Sequence, residues 1–175
     1  MAFSRTLCKA TLGLGIEAKM LSLMAEQNKK RKGLGDDLAW SIKHGHQDIF
    51  KWLMTNPESA EKILDHSAIS IEIGRKAAYW AVLEIIKSMP TNPSKKILVN
   101  SIIRNNGGMQ KIIIDGWGEA FKKMKNFEDE IIKQISHQSP HKELKAHTIK
   151  TLQYFLSGDQ IEEIQIARAK HRQFG

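Results

Sequence analysis

The sequence predicts an all-α fold: helix-pair repeats of about 33–34 residues stacked as a short solenoid, with an extra N-terminal helix. Three observations predict it. Apolar residues recur every three or four positions over long stretches, and no segment alternates convincingly with a period of two. Asn-Pro recurs as a break between such stretches, at Asn56-Pro57 and Asn92-Pro93. Finally, Lys62-Ile63-Leu64, Lys96-Ile97-Leu98 and Glu130-Ile131-Ile132 fall at a constant spacing of 34 residues. One helix pair cannot bury its apolar face alone, so neighbours must stack and share a core. With 175 residues the chain is long enough for one domain and short for two. The expected division is an amphipathic helix over 1–27, a basic linker over 28–37 and a single helical-repeat domain over 38–175.

Within 1–27, Phe3, Leu7, Ala10, Leu14, Leu21 and Met24 recur at helical spacing. Docking on the body is the expected role, with a mitochondrial presequence or contact with a membrane surface as alternatives. Glu17 and Lys19 interrupt the apolar run. It therefore lacks both the apolar core of a secretory signal and the ~20 apolar residues of a membrane span. The linker, NKKRKGLGDD, carries Lys29, Lys30, Arg31 and Lys32 in succession. Such a run is a targeting signal or a phosphate-contacting cluster, where it is not simply a solvated linker. Asp36 or Asp37 is the expected N-cap of the next helix.

Further along, Asn56 and Asn92 are expected caps, with Pro57 and Pro93 at the first helical position, where no backbone donor is needed. Asn126 is a third such start and Asp159 a fourth. The second helices of the pairs read HQDIFKWLM, RKAAYWAVLEIIKSM, MQKIIIDGWGEAFKKM and HKELKAHTIKTLQYFL. Their punctuation is uneven: Gly45, Gly74, Gly107-Gly108, then Ser139-Pro140.

The stretch Leu38 to Met54, LAWSIKHGHQDIFKWLM, resembles the helix–turn–helix of an ankyrin repeat. Gly45-His46 and Asp48-Ile49-Phe50-Lys51-Trp52-Leu53 match that family's order, and Ile102 to Ile114 is a weaker echo. Asp36-Asp37-Leu38-Ala39 replaces the Thr-Pro-Leu-His opening, and the Gly-Ala-Asp finger loop is absent. The resemblance implies a helical repeat that is ankyrin-like in part and binds a protein partner on a concave surface. Compact Lys- and Ile-rich arrays of this kind are similar to host-directed effectors of intracellular bacteria. The C-terminal GDQIEEIQIARAKHRQFG is similar to tails used for type IV secretion, which implies delivery into a host cell.

The net charge is +8, of which residues 1–35 carry +5. A nucleic-acid-binding protein, the first alternative, requires a basic face outside that segment. Cys8, the single cysteine, excludes an internal disulfide and a cysteine-built zinc site, and suits an intracellular reducing compartment. His44 and His46 are two ligands where zinc needs about four. Pro140 breaks any helical face that His137 and His141 would share, and His147 is no closer to forming a set. The acids Glu128, Asp129 and Glu130 complement a helix dipole, and Asp115 has no evident partner. With no phosphate loop or nucleophile elbow, no catalytic residue, metal or cofactor is expected; a small helical enzyme whose site assembles only in space is the second alternative.

What remains is a set of candidate partner-binding residues. Tyr79 and Trp80 are adjacent, so both cannot face one core stripe. Trp117 lies between Gly116 and Gly118, which permit close backbone approach. His46 sits on the turn, where a hydrogen bond to backbone is expected.

Overall fold

The computed structural model describes the backbone from Ala2 to Phe174 and side chains from Leu14 to Phe174. Cys8 and the Phe3, Leu7 and Ala10 part of the amphipathic pattern therefore lie outside the described side chains. Among the described residues there are eleven helices and no strand. In chain order they are α1 (Ala2–Glu26), α2 (Leu34–Lys43), α3 (Gln47–Leu53), α4 (Ser59–Asp65), α5 (Ser67–Lys76) and α6 (Tyr79–Ser88). There follow α7 (Lys95–Ile103), α8 (Gly107–Lys122), α9 (Phe127–His137), α10 (Ala146–Phe155) and α11 (Gly158–Phe174).

Ten of these helices, all but α4, fall into two rows. In one, α2 packs on α5, α5 on α7, α7 on α9 and α9 on α11. In the other, α1 packs on α3, α3 on α6, α6 on α8 and α8 on α10. The contacts α2–α3, α5–α6, α7–α8 and α10–α11 tie the rows together. Between the rows lies one continuous core, running from Met20 and Leu38 through Ile73, Ile85 and Leu98 to Trp117, Phe121 and Ile164.

Three of the row-to-row turns share one backbone device. Gly45, Ala77 and Asn105 adopt the left-handed conformation, with φ of 70°, 47° and 53°. The next N–H then bonds back to a carbonyl of the finished helix: His46 to Ser41 at 2.9 Å, Ala78 to Ile73 at 3.0 Å and Asn106 to Ser101 at 3.0 Å. This closure satisfies carbonyls that the helix end leaves without partners. Glycine marks only the first of the three turns, so glycine punctuation was a poor guide to the others. Gly74 lies inside α5 instead, where a Cβ would stand 1.8 Å from Asn100 Oδ1, so its role is close packing of α5 on α7.

Several expected boundaries move. α2 begins at Leu34 after Gly33, within the expected linker, so Asp36 and Asp37 occupy its first turn rather than its cap. α4 begins at Ser59, because Asn56 Oδ1 accepts from Glu58 N at 3.0 Å and holds Pro57 in a turn ahead of the helix. α7 is capped by Ser94, whose Oγ accepts from Ile97 N at 3.3 Å, so Asn92-Pro93 stands before the cap. Asn126 does stand at the cap of α9, but left-handed (φ 59°) and without a side-chain bond. At α11, Ser157 and Gln160 form a reciprocal box at 2.9 and 3.2 Å, which places Asp159 in the first turn.

The spacing of 34 residues relates unlike elements. Lys96-Ile97-Leu98 and Glu130-Ile131-Ile132 lie on the row helices α7 and α9, while Lys62-Ile63-Leu64 lies on α4. The short α4 packs beside α2 and α5, and it is α5, through Ile69 and Ile73, that fills the row between α2 and α7.

α1 docks on the body. Met20 and Met24 are buried, and Lys19 pairs with Asp48 of α3 at 2.7 Å. Leu14 and Leu21, expected on the docking face, are 68% and 46% exposed. Position 24 and position 20 share one side of the helix; positions 14 and 21 share another.

Candidate functional site

Trp117 is fully buried, and its indole Nε1 donates to Met89 O at 2.9 Å. It offers a partner no surface. The flanking glycines do allow close approach, but to this chain's own side chains: a Cβ on Gly116 would meet Ile86 at 2.6 Å, and one on Gly118 would meet Tyr154 at 2.8 Å. Tyr79 and Trp80 do point to different neighbours. Tyr79, 38% exposed, donates its hydroxyl to Asn106 Oδ1 at 2.9 Å. The same Oδ1 caps α8 by accepting from Met109 N at 3.1 Å. Trp80 is half-buried and meets the Phe50 ring edge-on, with centroids 5.3 Å apart. Both aromatics thus join α6 to its neighbours, α8 and α3. His46 packs its ring on Trp40 at 5.1 Å, beside His44 at 6.1 Å. Burial is the largest cause that lowers the His44 pKa, followed by the nearby charge of Lys43.

Among the apolar side chains missed by sequence reasoning and open to solvent are Leu83 and Ile71. Leu83, one turn beyond Tyr79 on α6, is 54% exposed. Ile71 on α5 is 44% exposed. Ile71 belongs to an open groove of about 410 Å³ that crosses α5, α7 and α9. Ser67 and Ser70 line it from α5, Lys96 and Asn100 from α7, and Gln134 from α9. Such a surface is chemically mixed: amides and hydroxyls that both donate and accept, around an apolar contact. No linear motif marks it, because its residues come from three helices. The available signal was polar positions recurring on the outer face of otherwise apolar helices.

The basic run is partly built into the fold. Arg31 bonds Asp37 Oδ2 at 2.8 Å and Glu17 at 3.2 Å, clamping the linker between α1 and α2. Asp37 is fully buried, and its Oδ1 has no hydrogen-bond partner. Burial raises the Asp37 pKa, and the bond to Arg31 opposes that rise. Lys29, Lys30 and Lys32 instead rim a cleft of about 360 Å³ between the linker, α2 and α5. Trp40 and Lys43 of α2 also line it.

The remaining histidines form no metal set. His137 Nδ1 and His171 Nε2 lie 3.2 Å apart, while His147 Nε2 lies 2.8 Å from Asn105 O. Among the described residues no three His, Cys, Asp or Glu side chains converge as metal ligands. None of the helices, over the described residues, is long and apolar enough to cross a membrane.

Comparison with protein-family models, with curated proteins and with solved structures finds no match to this chain.

Proposed function

We propose that this chain is a non-enzymatic interaction module, a short and degenerate array of helix pairs, ankyrin-like in part, that binds a protein partner. The observation that carries this reading is the groove across α5, α7 and α9. Three successive helices of one row present exposed Ile71 among Ser67, Asn100 and Gln134. Apolar contact there supplies affinity, and the amides satisfy polar groups of the partner that lose water on binding. The stacking of helices chiefly on their row neighbours supports this reading, because helical-repeat proteins stack in that manner and use continuous surfaces for binding. Tyr79 and Leu83, one turn apart on α6, form a second exposed patch.

The test is a pull-down with the intact chain, beside an Ile71→Asp/Gln134→Lys variant and a Tyr79→Ala/Leu83→Asp variant, each checked for folding by circular dichroism. Capture of a discrete protein that survives nuclease and is lost in the first variant supports the groove. Loss only in the second variant moves the interface to α6. Capture of nucleic acid alone, abolished by moderate salt, replaces this reading with nucleic-acid binding.

A further inference from the structure

The cleft at the basic run stands apart from that groove, and its chemistry is different. Its floor is apolar, formed by Met24, Ala39, Trp40 and Ala68. Four lysines line it: Lys29, Lys30, Lys32 and Lys43. Three carboxylates line it as well, and two of them already hold an arginine. Asp37 holds Arg31 at 2.8 Å, Asp36 faces His66 at 3.4 Å, and Glu72 holds Arg75 at 3.4 Å. None of the four lysines forms an ion pair with another described residue. The field left over at the mouth is therefore positive, and it favours a compact anion such as phosphate.

The cleft also asks for a donor. Asp37 is fully buried, and its Oδ1 is an acceptor with nothing to accept from. A buried acceptor without a partner is unfavourable until something donates to it. Oδ2 already faces Nε and Nη2 of Arg31, so Oδ1 is the oxygen left for a ligand's N–H. Phosphate at the rim, a flat apolar body on the floor and one N–H donor inside describe a nucleoside phosphate. We propose that this cleft binds a nucleoside phosphate whose base carries an exocyclic amine, with the phosphates on Lys29, Lys30, Lys32 and Lys43. The base then lies beside Trp40, and its amine donates to Asp37 Oδ1. Adenine, cytosine and guanine each present such an amine; unsubstituted purine does not. The proposal does not depend on the protein-binding groove, and the groove variants leave the cleft untouched.

Isothermal titration of the full chain tests it, with ATP, purine riboside triphosphate, adenosine and inorganic tripolyphosphate as ligands. The expected result is saturable one-to-one binding of ATP, at least fivefold weaker for the purine analogue that lacks the amine and at least tenfold weaker for adenosine. Lys30→Gln/Lys32→Gln changes only exposed side chains, and should weaken ATP at least tenfold with an unchanged thermal melt. Tripolyphosphate binding as tightly as ATP, equal binding of the purine analogue, or undiminished binding by the lysine variant would each overturn the proposal, as would no heat at millimolar ATP.

Discussion

Ala77 does with a methyl group what glycine does at the first turn. Its φ of 47° closes α5 and lets Ala78 N reach Ile73 O. An L-residue in that conformation carries a penalty of about 1–2 kcal/mol, partly offset because alanine restricts the unfolded chain more than glycine does. Ala77→Gly should therefore stabilise the protein by about 0.5 kcal/mol, read as a shift of the urea midpoint at constant slope. Asp37 gives a prediction in pH. Its carboxyl holds a proton more tightly folded than unfolded, because burial outweighs the bond to Arg31. A group of that kind stabilises the fold fully below its unfolded pKa, near 4, and the contribution is lost as pH rises through the higher folded value. Melting temperature measured from about pH 3.5 to 7 should show the wild type losing ground to Asp37→Asn as pH rises, then running parallel to it. A constant difference across that range would contradict the assignment. Asp48 runs the other way: the Lys19 hydrogen bond is the largest cause that lowers its pKa, so its contribution is lost as pH falls through the folded value.

Arg168 decides how the last elements join. It is buried on α11, and its guanidinium donates to four carbonyls: Ile135 and Gln138 at 2.7 Å, Ser139 at 2.9 Å and Lys142 at 2.6 Å. Those carbonyls belong to the end of α9 and the turn after it, where helical hydrogen bonding stops. Ser139, left-handed with φ of 45°, turns the chain under the guanidinium. One side chain thus does for this turn what the backbone closures do after α2, α5 and α7. Arg168→Met retains much of the packing but leaves buried carbonyls without donors. It should cost about 3 kcal/mol or more, with Arg168→Lys recovering only part, since one ammonium cannot reach four carbonyls. Chemical denaturation of both variants measures this, and near-wild-type stability of Arg168→Met would show that water replaces the guanidinium at no cost. In the sequence Arg168 is an unremarkable cation of the tail IARAKHRQFG. Its role depends on α11 lying against α9, which no local pattern encodes.

Across the whole molecule the helices of the two rows lean chiefly on their row neighbours and on the partner across the turn. Interior helices such as α5 and α7 are supported from both sides, while α1 and α11 stand at the ends of their rows. Stability in such an arrangement is not uniform. Amide hydrogen exchange should be slowest in α5, α7 and the buried half of α8, and fastest in α1 and α11. Uniform protection along the chain would mean one cooperative unit instead of a row of neighbours. The all-α class was determined by the sequence alone, because the 3.6-residue recurrence of Ile, Leu, Phe and Trp is a local property that needs no knowledge of neighbours. So was the helix–turn–helix of Leu38 to Met54, observed as α2, the Gly45 turn and α3. Tertiary structure alone decided the rest. It placed α5 and not α4 in the row, enclosed Trp117, spent the Tyr79 hydroxyl on a helix cap, and exposed Leu83 and Ile71. It also drew Arg31 to a buried Asp37 and left Lys29, Lys30 and Lys32 around a cleft. The physical reason is that the direction of a side chain follows from its own helix, whereas what it meets there depends on residues distant in the chain, brought near only when the rows pack.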